Sequence, residues 1–330
     1  MDPTFSIRLC KDVDEACQYF LTWPIREGWN HSTDDEEVRQ VFYPCDPSGF
    51  LLGTVKDSDG VETVVGCILA LKHTDALAWI GCFIVADSHR GKGYGGKIFQ
   101  RGMDHLEGCQ YIGLDAKVEK VASYERVGFK RSGGWMGKTY RGDMVKDVLE
   151  KLDPEDYHDV KVMDWTDDDT ADQVAQVDRR ATGYYRPDFW KYWIKMHTGT
   201  SKNGDCAKDH GRHVAKVLGQ DGKVAHFASI RPAVKGFLIT LYAGDIHVAE
   251  ALLRYLVQWV VNRSSSPGWL LPKNHWMVVN GNACASNPHS LALFENLNFE
   301  WVSTRERMYR DAYPTGNSLE LFSVASLTVG

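Results

Sequence analysis

Residues Arg90 to Gly96 combine two cations with closely spaced glycines, in the order Arg-Gly-Lys-Gly-Tyr-Gly-Gly. They follow an apolar, β-rich run from Ala78 to Val85 and precede a segment of helical periodicity that ends near Leu106. A strand, a glycine-rich turn and a helix in this order gather backbone N–H groups at a helix N-terminus. There the unpaired donors and the helix dipole stabilise an anion. The spacing therefore predicts a phosphate-binding loop.

Several interpretations of this loop compete. The pattern G-x-x-x-x-G-K-[ST] fits Gly91 to Lys97, but Ile98 stands where a magnesium-binding hydroxyl belongs, so Mg²⁺-nucleotide hydrolysis is disfavoured. Three of the glycines also fit the dinucleotide pattern G-x-G-x-x-G, yet the preceding strand belongs to a meander of β-rich segments. A turn without a ligand is disfavoured because closely spaced glycines make a poor helix start.

A further pattern, Arg-x-x-Gly-x-Gly, is formed by Arg90, Gly93 and Gly95. Downstream lies a second motif, Tyr-Glu-Arg-Val-Gly-Phe, at residues 124–129. The two motifs, in this order and at this separation, resemble the GNAT superfamily of N-acetyltransferases. The resemblance implies an α+β fold, an α/β sandwich in which a mixed, mostly antiparallel twisted sheet is flanked by helices. It also implies acetyl-coenzyme A as co-substrate, with backbone amides of the loop around its pyrophosphate.

The resemblance also assigns residues to the co-substrate. Two central strands are expected to splay apart, so that backbone groups of Phe83 and Val85 pair with the pantetheine amides. The N–H of Phe83 or Ile84 is then the expected oxyanion donor. Cys82 is interpreted as a packing residue, because the family transfers its acyl group directly in a ternary complex. The loop residues expected to bind the co-substrate are Arg90, Gly91, Lys92, Gly93, Tyr94, Gly95, Gly96 and Lys97.

Acyl transfer to an amine requires a base and an acid. Tyr124 is the candidate acid, since a phenol can hand a proton to a departing thiolate of similar basicity; the alternative is a tyrosine that only packs its helix. Glu27 is the first candidate base or ammonium anchor, and Asp115 is the second. Trp29 and Asn30 are the candidate substrate-binding residues, and Trp29 can hold a cation over its face. Surface or core roles remain open for Glu27, Asp115 and Trp29.

The elements needed to position these residues follow a consistent order in the first half. Residues Asp57 to Gly60 mark a hairpin, and residues Thr33 to Glu36 have the spacing of a helix capping box. Strands are predicted at Phe5–Leu9, Gly49–Val55, Thr63–Lys72, Ala78–Val85, Tyr111–Ala116 and from Phe129, with helices from Asp12, Thr33 and the glycine loop and at Val118–Val127. Gly128 is expected to end the last helix in the left-handed conformation.

The second half repeats this order in degenerate form. At an offset of 170 residues, Phe294 stands in place of Tyr124 and Asn298 in place of Gly128, and the glycine loop is missing. Strands are predicted at Val160–Trp165, His213–Leu218, Val224–Ile230, Phe237–Tyr242 and Trp276–Val279, helices at Asp167–Asp178, Pro187–His197, Asp245–Val261 and Asn287–Leu297, and a polar loop at Asn203–Gly211. A charged segment from Asp178 to Arg186 is a candidate to close the acceptor site.

The domain hypothesis is therefore two GNAT folds in tandem. It places a catalytic domain at residues 1–142, a linker at 143–158, a degenerate GNAT-like domain at 159–310 and a tail at 311–330. A length of 330 residues fits two hydrophobic cores. The active centre is expected only in the first half, because the second lacks both the loop and the tyrosine.

Composition sets the remaining expectations. The formal net charge is −6, which argues against a nucleic-acid partner and mildly favours a cationic or aromatic amine as acceptor. No C-x-x-C pair occurs among the eight cysteines, so reduced thiols are expected rather than disulfides or a metal site. No signal-peptide pattern or membrane-spanning run is present, so a cytoplasmic monomer or homodimer is predicted.

The predicted function is transfer of acetyl from acetyl-coenzyme A to the primary amine of a small molecule, an amine or an amino acid. The alternatives are a non-catalytic acyl-coenzyme A-binding or regulatory module, and acetylation of a protein or peptide amine.

Overall fold

The computed structural model describes residues 4–153, 159–163, 168–200, 204–271 and 277–330. Within them the chain forms one continuous sheet of thirteen strands, with helices on both faces. Two strand pairs, β4–β5 and β10–β11, are parallel and the others are antiparallel. The predicted α+β class with a mixed, mostly antiparallel sheet is confirmed.

The strands are β1 Thr4–Leu9, β2 Phe50–Lys56, β3 Glu62–Lys72, β4 Leu77–Val85, β5 Tyr111–Lys117, β6 Lys130–Asp143, β7 Val160–Val162, β8 His213–Leu218, β9 Val224–Ala233, β10 Gly236–Tyr242, β11 Val278–Cys284, β12 Glu300–Tyr309 and β13 Leu321–Ser323. The helices are α1 Val13–Arg26, α2 Tyr43–Cys45, α3 Tyr94–His105, α4 Val121–Glu125, α5 Asp168–Thr182, α6 Pro187–Thr198, α7 Ile246–Ser264 and α8 Pro288–Asn296. Shorter helical turns include Val38–Phe42, Val118–Lys120 and Met144–Leu149.

Local side-chain chemistry fixes several element ends as predicted. Asp12 caps α1 by accepting from the Glu15 N–H at 2.8 Å. The Asp57 side chain accepts from the N–H groups of Asp59 and Val61, which closes the β2–β3 hairpin. Gly128 and Asn298 end their helices at φ +92° and +61°, the left-handed conformation that glycine and asparagine tolerate best.

Other local predictions were wrong in detail. The capping box is absent, because Thr33 Oγ1 is buried without a hydrogen-bond partner in the described chain and Asp34 accepts from the Glu36 N–H instead. Helix α1, predicted to start at Asp12, runs through Pro24 to Arg26. The predicted positions Trp165, Asp167, Asn203 and Trp276, and residues 154–158 of the predicted linker, lie outside the described residues.

The two halves exchange strands where they meet. β12, from the end of the second half, pairs with β5 of the first half over Gly113–Lys117. β6, the last strand of the first half, lies on the other side of β12 and pairs with β11. Neither half therefore completes its sheet with its own residues. The division at residues 142 and 159 stays a prediction, since hydrogen-bonded strands cross it in both directions.

A gap between β10 and β11 is filled by a strand of the same chain. The two strands pair only from Phe237–Val279 to Ile239–Gly281 and then diverge. β13 pairs with β10 beyond that point, and Ser323 connects both strands. Its Oγ donates to the Ile239 carbonyl at 2.7 Å and accepts from the Asn282 N–H at 2.9 Å. Buried backbone groups at this divergence are thereby satisfied.

The segment after β13 is buried, although a terminal tail was predicted. Val324, Ala325 and Val329 belong to the apolar core that also contains Trp190 and Trp193 of α6. His73 Nε2 lies 2.7 Å from the Val329 carbonyl oxygen. Among the described residues, no helix combines the length and apolar character needed to cross a membrane.

Candidate functional site

The central opening lies between β4 and β5. The two strands pair from Leu77–Tyr111 to Ile80–Leu114 and no further, while β4 continues to Val85. The backbone of β4 is irregular at Cys82, whose φ is +44°. The β3–β4 register is also irregular beside this residue. The predicted splay of the two strands is thus present. Within the described ranges, the edge of β4 that contains Phe83 and Ile84 has no partner strand on the β5 side.

The glycine loop ends beside this opening. Gly91 and Gly93 both adopt φ +79°, a conformation that favours glycine. Gly93 precedes the first residue of α3, and no side chain of the described residues caps that helix, so its first N–H groups remain available to a ligand. A Cβ added at Gly95 would lie 3.4 Å from Val85 Cγ2 and 3.5 Å from Phe83 Cζ. The loop therefore sits directly against β4.

A cavity of about 930 Å³ occupies the opening and receives residues from both halves of the chain. We call it the central cavity. Its predicted co-substrate residues are Phe83, Ile84, Val85, Arg90, Gly95 and Gly96. Its predicted catalytic and substrate residues are Glu27, Trp29, Asn30, Asp115 and Tyr124.

Other loop residues are not part of this lining. Gly91, Lys92 and Gly93 lie outside it, as do Tyr94 and Lys97. The Tyr94 ring stacks on Phe5 with centroids 4.3 Å apart, and Lys97 Nζ lies 5.7 Å from the same ring centroid. The Tyr94 side chain therefore packs the start of the loop helix against β1, while Lys92 and Lys97 stay exposed.

Tyr124 lies on α4 with its ring half-buried against Phe99 and Phe129, at centroid distances of 5.9 and 6.2 Å. Burial raises the pKa of Tyr124 to about 12. The phenol is therefore protonated at neutral pH, which is the state that a proton donor needs. The helix ends where Phe129 N–H donates to the Tyr124 carbonyl, and Phe299 N–H makes the matching bond to Phe294 in the second half.

Glu27, Trp29 and Asn30 lie on the loop after α1. Glu27 Oε1 accepts from Arg90 Nη2 at 2.7 Å, so this carboxylate is joined to the glycine loop. Asn30 Oδ1 accepts from the Lys235 N–H at 2.8 Å, which joins the same loop to the second half. Trp29 Nε1 and Asn30 Nδ2 are buried without a hydrogen-bond partner in the described chain. Both residues line the central cavity, so a bound ligand with an acceptor atom is a candidate partner for these donors.

Asp115 is held in a fully buried ion pair. Arg307 donates from Nε to Oδ1 at 2.9 Å and from Nη2 to Oδ2 at 2.8 Å, and the Asp115 side chain has no exposed surface. The Arg307 guanidinium also lies 4.6 Å from the Trp79 ring centroid. Both carboxylate oxygens are therefore occupied, and this geometry favours an anchor that joins β5 to β12 over a base.

A second buried ion pair lines the cavity and was missed from the sequence. Glu37, before the turn Val38–Phe42, bonds Arg231 of β9, and both side chains are almost fully buried. Burial raises the pKa of the Glu37 carboxyl, and the adjacent guanidinium opposes that shift. His31 lies in the same wall with its Nδ1 unpartnered, and burial lowers its pKa to about 3. It is therefore a neutral imidazole.

The exchanged strands and the end of the chain form much of the cavity through residues that no local motif marks. Thr139 and Arg141 of β6, Asn280 and Asn282 of β11, Ser303 and Arg305 of β12, and residues 326–328 all line it. These positions meet only because β12 and β6 are exchanged between the halves. The segment from Asp178 to Arg186 is not part of the lining, since Asp178 and Arg186 form a buried ion pair 2.7 Å long. Its predicted role in closing the site was wrong.

Cys82 lines the cavity from a buried position, and burial raises the pKa of its thiol to about 12. A protonated thiol is a poor nucleophile, which agrees with its interpretation as a packing residue. None of the eight cysteines forms a disulfide in the described chain. The described residues also contain no group of three or more His, Cys, Asp or Glu side chains placed to hold a metal ion.

Comparison with known proteins gives a consistent result. Residues 14–129 match the acetyltransferase (GNAT) family. The holothin acyltransferase of Pseudoalteromonas sp. (strain SANK 73390) is 25% identical over 318 residues, which cover 96% of this chain and 92% of that protein.

Solved structures resemble the whole chain rather than its first half alone. A Pyrococcus horikoshii protein assigned as an acetyltransferase matches with a TM-score of 0.68 at 16% identity, covering 99% of this chain and 96% of that one. A tandem GNAT protein from the clavulanic acid biosynthesis pathway matches with a TM-score of 0.60 at 14% identity, covering 95% and 100%. At these identities the likeness concerns the fold, and it supports two GNAT folds in tandem.

Proposed function

We propose that this chain moves the acetyl group of acetyl-coenzyme A to the primary amine of a small molecule. The proposal starts from the premise that the chain is a member of the acetyltransferase (GNAT) family with two GNAT folds in tandem. The transfer is direct and takes place in a ternary complex within the central cavity. The first half supplies the chemistry, and the second half supplies part of the acceptor pocket.

One observation carries this proposal. The open edge of β4, the uncapped N-terminus of α3 and Tyr124 all border one cavity. The open β4 edge suits the amide-bearing arm of coenzyme A, and the N-terminus of α3 suits its phosphates. Tyr124 is a protonated acid near the proposed position of the leaving thiolate. The described part of the second half differs at each point: β13 fills the gap, Asp245 caps α7 and Phe294 replaces the tyrosine.

The chemical step is balanced by two proton transfers. The amine nitrogen bonds to the thioester carbonyl carbon, the carbon–sulfur bond breaks, the nitrogen loses a proton and the sulfur gains one. With an amine pKa near 10, about one molecule in a thousand is neutral at pH 7, a deficit of roughly 4 kcal/mol. Glu27 is proposed to offset this deficit as base or ammonium anchor, and Tyr124 to protonate the sulfur. The N–H of Phe83 or Ile84 is proposed to stabilise the oxyanion.

Two measurements test the proposal. Isothermal titration with acetyl-coenzyme A is expected to give one site per chain, and release of free thiol is then followed over a panel of amines, amino acids and short peptides. Binding without thiol release for every acceptor would favour the acyl-coenzyme A-binding module. Absence of binding would contradict both. Longer acyl-coenzyme A donors belong in the panel, because a relative is named an acyltransferase without reference to acetyl.

A further inference from the structure

Polar side chains cross one face of the sheet where β12, β6 and β11 lie side by side. The register places Arg305 opposite Lys117, Thr139 opposite both Ser303 and Asn282, and Arg141 opposite Asn280. All of these residues line the central cavity. We call this surface the polar floor, defined by Lys117, Thr139, Arg141, Asn280, Asn282, Ser303 and Arg305.

The polar floor is ordered by hydrogen bonds that asparagine side chains accept. Thr139 Oγ1 donates to Asn282 Oδ1 at 2.9 Å, and Arg141 Nε donates to Asn280 Oδ1 at 3.1 Å. Asn280 is held in turn, because its Nδ2 donates to the carbonyl oxygens of Lys235 and Phe237. The guanidinium of Arg141 is thus fixed in place through one nitrogen, and the other side of its planar fork remains for a ligand.

The charge of the cavity is not balanced. Its lining includes eight lysine and arginine residues and three carboxylates, Glu27, Glu37 and Asp115. Each carboxylate already has a guanidinium partner, namely Arg90, Arg231 and Arg307 respectively. In the part of the chain that the structure describes, Lys117, Arg141 and Arg305 form no salt bridge. Asp115 and Glu119 act on Arg305 only through longer-range attraction, which burial outweighs, so its pKa is lowered. Half-buried cations without a salt-bridge partner favour an anionic ligand.

The distance of the polar floor from the β4–β5 opening indicates that the floor contacts the acceptor amine and not acetyl-coenzyme A. Neighbouring strands lie about 4.8 Å apart, so Arg141 on β6 is two strands, or roughly 10 Å, beyond β5 at the edge of the opening. An acetyl group attached to a thioester in the opening does not extend that far. The glycine loop, where the phosphates are proposed to bind, follows β4, and β5 and β12 separate β4 from β6 in the sheet. The floor is therefore left to the acceptor.

We propose that the acceptor is an amine that also carries a carboxylate, held by the guanidinium groups of Arg141 and Arg305 while its amine faces the β4–β5 opening. This inference rests on the proposed function and narrows its substrate class. It departs from the expectation of a cationic or aromatic amine, because the local charge of the pocket, not the net charge of −6, meets the substrate.

The test compares ω-amino acids with n-alkylamines of matched chain length. Thiol release from acetyl-coenzyme A is expected to show at least a tenfold higher kcat/KM for an ω-amino acid than for the matching alkylamine. Arg141→Gln and Arg305→Gln are each expected to reduce that preference at least tenfold, and Arg141→Lys to retain part of it. Arg179→Gln, on α5 outside the cavity, is the matched control and should leave the preference unchanged.

Direct binding separates this inference from the proposed function. Isothermal titration of an ω-amino acid into protein saturated with coenzyme A is expected to give binding that weakens at least tenfold in Arg141→Gln. If that holds but no amine releases thiol, the transfer reaction is contradicted and the carboxylate site stands. Equal binding of the amino acid and the alkylamine would overturn the site. A preference for aminoalkyl phosphates, or for succinyl- over acetyl-coenzyme A that depends on Arg141, would also overturn it.

Discussion

At the scale of single residues, the site depends on how burial sets protonation. Tyr124 is kept as a neutral phenol because its ring packs between Phe99 and Phe129, which raises its pKa to about 12. Asp115 has a different environment, since a bidentate guanidinium occupies both of its oxygens. The same lining thus contains one group able to give up a proton and one carboxylate that is committed to structure.

Replacing Tyr124 with phenylalanine removes the proposed acid without changing the ring that packs α4. General acid catalysis is typically worth about 10²–10⁴-fold, so kcat is expected to fall by about a hundredfold. The dissociation constant for coenzyme A is expected to change less than about twofold. Steady-state thiol release and calorimetry measure the two quantities. Tyr185→Phe, on the outer surface, is the control, and unchanged turnover in Tyr124→Phe would remove the acid role.

Asp115→Asn distinguishes an anchor from a base. The amide cannot pair with Arg307, which remains buried, and breaking such a pair by removing one partner costs about 3–5 kcal/mol. We therefore expect the free energy of unfolding, measured by urea titration, to fall by that order. Glu125→Gln, which loses only the exposed contact with Arg131, should change it by less than about 0.5 kcal/mol. Normal stability with loss of activity would instead indicate a base.

At the scale of elements, the two halves use the same gap in different ways. In the first half β4 and β5 diverge and leave a cavity, whereas in the second half β13 enters between β10 and β11. Ser323 satisfies a backbone donor on one strand and an acceptor on the other. The second half therefore has no room for a ligand between these strands, which explains why it tolerates the loss of the glycine loop.

Ser323→Ala tests this closure. Two buried backbone groups lose their partner, and each unsatisfied group costs about 1–3 kcal/mol, so stability is expected to fall by about 2 kcal/mol or more. Ser58→Ala, at an exposed position of the β2–β3 hairpin, should stay within about 0.5 kcal/mol of the parent. Urea unfolding of both variants gives the comparison. Equal stabilities would mean that β13 is not needed to hold β10 and β11 together.

At the scale of the whole molecule, buried neutral histidines make stability depend on pH, and one of them, His73, connects the two halves. Burial lowers the pKa of His73 to about 3 and of His213 to about 4, from an ordinary value near 6.5. For a histidine whose pKa is lowered on folding, the folded chain has its full stability above pH 6.5. That stability is lost as the pH falls from 6.5 towards the pKa of the histidine in the folded chain. Acid is therefore expected to destabilise the folded chain at His73, because burial and Arg186 oppose a charge there more than the Val329 carbonyl favours it.

His73→Gln keeps a donor near this carbonyl but removes the titrating group. One histidine that cannot protonate in the folded state contributes a slope of about 1.4 kcal/mol per pH unit below pH 6. Between pH 6 and 4, the slope of the free energy of unfolding against pH is thus expected to be smaller for the variant than for the parent, by about 1.4 kcal/mol per pH unit. His247→Gln, at a position with 85% side-chain exposure, should leave the slope unchanged. Parallel profiles for His73→Gln and the parent would contradict the assignment.

What the sequence predicted well was local. The glycine loop, the Asp57 turn and the Gly128 and Asn298 helix ends are each determined by residues within a few positions of one another. The polar floor was not predictable in this way, because Arg305, Arg141 and Asn280 meet only across the exchanged strands β12, β6 and β11. β12 itself went unrecognised, since its inward side chains include Glu306 and Arg307, and charges are rarely found in a central strand.

The insertion of β12 also has a consequence for biosynthesis. Asp115 and its partner Arg307 are 192 residues apart in sequence, so the edge of β5 has no partner until that much more chain has been made. At translation rates of about 5–20 residues per second, this interval lasts roughly 10–40 seconds. A nascent first half therefore exposes an apolar strand edge to solvent and to other chains throughout that period. The chain acquires its pocket late, and its yield in a cell should depend on what protects that edge during synthesis.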